Sequence, residues 1–275
     1  MWTRNGSVQL LPEFGQSMEQ KYGAEVHAGD LSVAAINEWV DSNTKGRIKK
    51  LLEQDDPSIV TYLINAMTFD AEWASPYEPQ SCSEGTFHAS DGTEQTVTYL
   101  SGEERGYLEV AGATGFVKHY SGGRYSFAGL LPAEGSTPED LLEALDGETL
   151  LQAICNPQSK TVYTRMPKFT AATTAELKPV LERMGMQAAF TDAADFSLLS
   201  DTPLKIDAVQ QKTYLQVDES GTIGAAVTSI PMMEATAVQT EEPKTVYLTR
   251  PYLCVIFDLE TQSIVFLGIV NRVDG

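Results

Sequence analysis

Apolar residues at Leu10, Leu11, Phe14, Met18 and Tyr22 recur at helical spacing and stop at Gly23, predicting a first helix. A short strand is expected near Ala24–His27. Val33, Ile36, Trp39 and Val40 then repeat at threes and fours behind a Ser32 cap, predicting a helix from Leu31 to Leu52 with a break near Thr44–Gly46. The run Ser58 to Trp73 is nearly continuous apolar and β-branched sequence, the mark of a strand covered on both faces. Residues 86–130 alternate apolar with polar and are broken at Asp91-Gly92, Gly112 and Gly122-Gly123, which predicts antiparallel hairpins. The signal Thr137-Pro138-Glu139-Asp140 opens a helix carrying Leu141, Leu142, Leu145 and Leu150. Strands at 160–169 and 203–217 flank a short helix at 176–186. The tail supplies Val246–Thr249, Leu253–Leu259 and Ser263–Val270, the last pairing back across Glu260-Thr261-Gln262. The chain reads as one α+β domain over residues 1–275, helices first and large antiparallel sheets after.

Composition narrows the function. With 42% hydrophobic residues in 275, the chain can bury a sizeable core. A formal charge of −19 repels nucleic acid and anionic lipid, so neither is an expected partner. No apolar run approaches the roughly 20 residues of a membrane helix, and the opening Met-Trp-Thr-Arg-Asn-Gly-Ser lacks the apolar core of a signal peptide. Cys82, Cys155 and Cys254 are too far apart for a metal motif and read as packed thiols. His27, His88 and His119 sit in no nucleophile or zinc arrangement, and no phosphate loop is present, so neither an enzyme, a metal nor a cofactor is expected.

Residues 219–244 do not fit a passive connection. A segment of this length without its own periodicity is uncommon in a compact domain. From Gly221 to Met233 it carries no charge, and small and β-branched residues dominate. As a strand it would place Thr222, Gly224, Ala226 and Thr228 on one face. Side chains that slim can slide between two existing strands without displacing the core.

Here the chain resembles the serpins. Glu219-Ser-Gly-Thr-Ile-Gly-Ala-Ala-Val is similar to their hinge: Glu, any residue, Gly, Thr, then small residues. Three further segments correspond in order. They are Asn37-x-Trp39-Val40-x-x-x-Thr44-x-Gly46-x-Ile48, then Leu63-Ile-Asn65-Ala66-x-x-Phe69-x-x-x-Trp73, then Met166-Pro167-Lys168-Phe169. Arg250-Pro251-Tyr252 and Phe266-x-Gly268-x-Val270 match near the end.

The resemblance implies a serpin-like α+β fold whose exposed loop, about 219–244, is bait for a serine protease. After cleavage the loop enters the main sheet as a new strand and carries the acylated protease with it. The family's spacing puts the scissile bond at Ala235–Thr236, and a small residue there suits an elastase-like enzyme. Met232, Met233 and Val238 offer chymotrypsin-, cathepsin- or elastase-type alternatives, whereas no basic residue lies between Glu219 and Lys244. The inserting hinge would be Glu219, Gly221, Thr222, Gly224, Ala225, Ala226 and Val227. Lys168, Glu219 and Trp73 map to the breach, where insertion starts. Asn65 maps to the shutter, with Gln211 where the family often has a His; Gln211 can make that bond but cannot titrate. The match starts at the second strand of the family's main sheet, so an amino-terminally truncated chain is expected. A secreted monomer is the expected context. Gly224, Val227 and Pro231 depart from the family pattern and, with the expected truncation, imply an alternative: a non-inhibitory member, either protease substrate or binding module, or an inactive fragment.

Overall fold

The computed structural model describes residues 1–4, 9–29, 31–57, 59–222 and 242–273. In chain order the strands are β1 (Trp2–Arg4), β2 (His27–Gly29), β3 (Thr61–Thr68), β4 (Ala71–Glu72), β5 (Cys82–His88), β6 (Glu94–Val110), β7 (Ala113–His119) and β8 (Tyr125–Leu131). There follow β9 (Gln158–Pro167), β10 (Phe169–Glu176), β11 (Ala208–Val217), β12 (Gly221–Thr222), β13 (Lys244–Tyr247), β14 (Tyr252–Asp258) and β15 (Ser263–Val270). The helices are α1 (Pro12–Tyr22), α2 (Val33–Asn43), α3 (Pro138–Ala144), α4 (Gly147–Cys155) and α5 (Lys178–Arg183). Two compact units result, Met1–Thr68 with Ala172–Tyr214, and Phe69–Ala171 with Leu215–Gly275.

In the first unit, β1 lies between β2 (parallel) and β3 (antiparallel), and β3 pairs in parallel with β11 from Tyr62↔Ala208 to Thr68↔Tyr214. Helix α2 packs Ile36 and Val40 into a core with Trp2, Leu31, Tyr62 and Ala208. Its start is as predicted: Ser32 Oγ accepts from Ala35 N at 3.1 Å. Its end is not, because the helix stops at Asn43 and residues 44–52 turn back along it. Asn37 explains this. Its Oδ1 accepts from Leu51 N (2.8 Å) and Leu52 N (3.0 Å), while its Nδ2 donates to Leu52 O. Thr44 Oγ1 accepts from Ile48 N at 3.0 Å, and Lys45 and Gly46 take positive φ to turn the chain. Ile48, Leu51 and Leu52 reach the core from an irregular segment, so their spacing imitates a continuing helix. Strand β3 is narrower than predicted, and Leu63, Ile64 and Met67 are half-buried rather than covered on both faces. Residues 203–207, expected as strand, form a loop whose Asp207 Oδ2 accepts from Val60 N at 2.9 Å.

The second unit holds an eight-stranded sheet in the order β13-β9-β6-β7-β8-β14-β15, with β5 also on β6. The predicted hairpins are all present, with Gly92, Gly112, Gly122 and Gly123 at positive φ in their turns. Strand β6 is long enough to pair with β5 along its first half, with β7 at its end and with β9 across its middle; its register with β9 slips between Glu104 and Gly106. Every residue of β14 is buried, as expected of a central strand hydrogen-bonded to β8 and β15. The leucine-rich helix predicted after Thr137 is two helices. Thr137 and Asp140 form a reciprocal cap on α3, and Asp146 accepts from Thr149 N at 2.6 Å to start α4 afresh.

Candidate functional site: the hinge of a long loop

The second unit carries a short strand that sequence spacing alone does not reveal. After Val217 the chain turns on Asp218, whose Oδ1 accepts from Ser220 N (2.9 Å) and Gly221 N (3.2 Å), an Asx turn. Asp218 N donates to Gly221 O at 2.9 Å, closing the hairpin. Strand β12 then lies between the end of β11 and β4, with Thr222 opposite both Val217 and Ala71. Gly221 is required by that approach: a Cβ there would fall 2.3 Å from Ala71 O.

Trp73 is the anchor of this hairpin. It is 1% exposed, its N donates to Ser220 O and its Nε1 to Asp218 O, both at 2.9 Å. Tyr77 N donates to Glu219 O at 2.8 Å. Tyr120 stacks on the indole with centroids 4.4 Å apart and rings inclined by 13°, while Phe127 meets it edge-on. The Tyr120 hydroxyl lies 2.6 Å from Thr222 Oγ1, and Thr222 is wholly buried. Burial is the main reason the Tyr120 phenol is pushed well above its ordinary pKa, so it stays protonated and available to this bond.

Lys168 Nζ stands 2.5 Å from Glu219 Oε2. The Lys168 ammonium holds the Glu219 carboxyl below its usual range against a smaller opposing effect of burial. Both side chains are more than a third exposed, so the pair contributes little to stability, in the range of about 0–1 kcal/mol. Beside it a cavity of about 360 Å³ is lined by Thr98, Lys168, Thr170, Gln216, Asp218 and neighbouring residues.

The structure therefore brings Trp73, Lys168, Glu219, Gly221 and Thr222 together in one unit. Asn65 and Gln211 meet in the other, as register partners on β3 and β11, with Gln211 Nε2 donating to Asn65 Oδ1 at 3.2 Å. Gly224, Ala225, Ala226, Val227, Pro231, Met232, Met233, Ala235, Thr236 and Val238 lie outside the described residues. Tyr120, Tyr77 and Asp218 were not singled out from sequence. Tyr120 precedes a Gly-Gly turn and reads there only as a strand end; what gives it meaning is a partner 102 residues away.

The histidines and cysteines are spread through other surroundings. His27 Nε2 lies 2.8 Å from Glu25 Oε2 and its ring stacks on Trp2. His119 Nδ1 lies 2.7 Å from Ser126 Oγ, but Ser126 is fully buried and offers no accessible hydroxyl. Burial pushes the Cys254 thiol up to about 12 and raises those of Cys82 and Cys155, the opposite of an activated thiolate. Among the described residues no cluster of three His, Cys, Asp or Glu could hold a metal ion, and no helix is long and apolar enough to cross a membrane.

Strand β12 is two residues long, and in sequence it is followed by a charge-free run to Met233 in which small and β-branched residues dominate. The chain belongs to the serpin family, whose model, described as serpin (serine protease inhibitor), matches residues 1–273. It is similar to Serpin A3-7 of Bos taurus, 33% identical over 275 residues, covering 96% of this chain and 65% of that relative. The chain thus spans about two thirds of that relative's length. Its fold is similar to the native state of the thermophilic serpin tengpin, with a TM-score of 0.89 at 37% identity, covering 99% of this chain and 72% of the other. Human thyroxine-binding globulin in complex with thyroxine matches with a TM-score of 0.85 at 27% identity, covering 100% of this chain and 74% of the other.

Proposed function

We propose that this chain, a single-domain secreted monomer, inhibits elastase-like serine proteases by trapping the acyl-enzyme. The protease serine Oγ attacks the Ala235 carbonyl, the Ala235–Thr236 C–N bond breaks, and the amine of Thr236 takes the proton and leaves. The ester left on Ala235 ties the protease to the loop. Residues beyond Thr222 then extend β12 between β4 and β11. At ~3.3 Å per residue, about 15 inserted residues carry the ester on the order of 50 Å. The inhibitor provides no catalytic group of its own.

The observation that carries this reading is Thr222, small and fully buried between β11 and β4 at the start of a charge-free run. Ala235 favours a narrow primary pocket, and the lack of Lys or Arg between Glu219 and Lys244 disfavours trypsin-like enzymes. Mixing the protein with pancreatic elastase should give an SDS-resistant adduct; nicked loop without adduct defeats the proposal. Replacing Thr222 by Arg puts a charge where β12 must bury it, and should abolish the adduct while cleavage continues.

A second reading is a non-inhibitory carrier or protease substrate. Gly224 and Pro231 favour it, since glycine weakens a strand and proline removes a ladder donor. The likeness to a thyroxine-binding protein points the same way. A loop-cleaved sample that melts no higher than the intact one would favour this second reading.

A further inference from the structure

Lys118 occupies a place where a sheet ordinarily puts an apolar side chain. It lies on β7 after Phe116 and Val117 and is only 4% exposed. Its Nζ is 2.6 Å from Glu104 Oε1, and it sits 4.3 Å from the centroid of the Tyr77 ring and 5.4 Å from that of Trp73. Glu104 reaches it from the point where β6 slips register against β9, the kind of irregularity that re-aims a side chain. Its neighbours Glu103 and Arg105 are exposed. The cation is thus enclosed by one carboxylate and two aromatic faces.

Stability does not account for this arrangement. A buried ion pair gains little over apolar residues of the same volume, because desolvation opposes the Coulomb attraction. Burial in fact holds the Glu104 carboxyl above its usual range even with Lys118 beside it. What the pair does have is position. The two rings that Lys118 touches belong to the two residues whose N–H groups hold the hinge turn: Trp73 to Asp218 O and Ser220 O, and Tyr77 to Glu219 O.

We propose that Lys118, held by Glu104, is a positioning residue that fixes Trp73 and Tyr77 so that the hinge enters the sheet in register between β4 and β11. The proposal rests on the insertion mechanism above. The cation's attraction for both ring faces sets their separation, and that separation sets where the turn 218–221 can dock. An apolar side chain fills the same space but is indifferent to ring orientation. Loss of the cation should therefore slow insertion relative to deacylation, diverting the protein from trap to substrate.

The test uses the whole chain labelled with 5-fluorotryptophan, the Trp73 resonance being assigned by Trp73→Phe. In Lys118→Met the resonance should shift and the indole N–H should exchange several-fold faster. The adduct fraction with elastase should fall several-fold while the rate of loop cleavage stays unchanged. Lys118→Arg should keep the wild-type resonance and partition. The double variant Glu104→Met/Lys118→Met should recover thermal stability but not the adduct fraction. A folded Lys118→Met with an unmoved Trp73 resonance overturns the proposal, as does a double variant that traps like wild type. Should wild type itself form no adduct, the inhibitory reading fails, and the resonance and exchange rate of Trp73 still decide whether Lys118 positions it.

Discussion

Tyr120 and Thr222 come from distant parts of the chain to share one buried hydrogen bond, 2.6 Å long. Tyr120→Phe keeps the stack on Trp73 but leaves Thr222 Oγ1 buried without that partner. The expected cost is about 1–3 kcal/mol in urea unfolding, together with faster exchange of the Thr222 amide. The Lys168–Glu219 pair makes a different contribution. Because the Glu219 carboxyl is held below its ordinary 4.5, its stabilisation of the hinge is present above that value and is lost as pH falls through the lower folded value. Protection of the amides across 219–222, taken relative to their intrinsic exchange rates, should therefore fall below about pH 4.5, and Lys168→Met should remove that acid limb. The stretch that starts at Glu219 stands out in the sequence because the charge-free run after it is abnormal, and its reading as a hinge comes from the serpin resemblance. Tyr120 and Lys118 are not, since a strand tyrosine and a strand lysine carry no signal until their partners are known.

At the scale of elements, periodicity located most strands but not β1 or β10, and it failed where two structures satisfy the same spacing. Ile48, Leu51 and Leu52 bury equally well from a helix or from an irregular segment pinned by Asn37. Removing that pin by Asn37→Ala should cost about 2 kcal/mol or more, because it strips partners from three half-buried backbone groups. Thermal denaturation checks this, and Asn37→Asp, which keeps the acceptor, should lose less. The leucines after Thr137 pass smoothly through Leu145, yet Asp146 caps a new helix there. Asp146→Ala should cost about 1 kcal/mol, read by the same melt, without joining the two helices, because Leu145 is held extended.

For the molecule as a whole, the decisive quantity is the free energy gained when the loop becomes a strand. If insertion follows cleavage, the cleaved protein gains a set of ladder hydrogen bonds and buried side chains worth several kcal/mol. At roughly 2–4 °C per kcal/mol for a chain of this size, its Tm should rise on the order of 10 °C or more. Scanning calorimetry of elastase-nicked protein measures this directly. An unchanged Tm would mean that no strand was added. Gly221→Ala should lower the Tm of the intact protein itself, since a Cβ there collides with the Ala71 carbonyl against which β12 already lies.

Local chemistry determined the turns, the caps, the alternation of the hairpins and the unusual composition of the loop, because each depends on neighbours within a few residues. Glu219, Gly221 and Thr222 became conspicuous through the resemblance of that stretch to the serpin hinge. Only the tertiary structure decided that Thr222 is already inside, that Trp73 holds the hinge turn by two hydrogen bonds, and that a buried lysine lies beneath it. Those facts depend on contacts between residues 45 to 145 positions apart in the chain, whose distances are set by packing and have no periodicity to announce them.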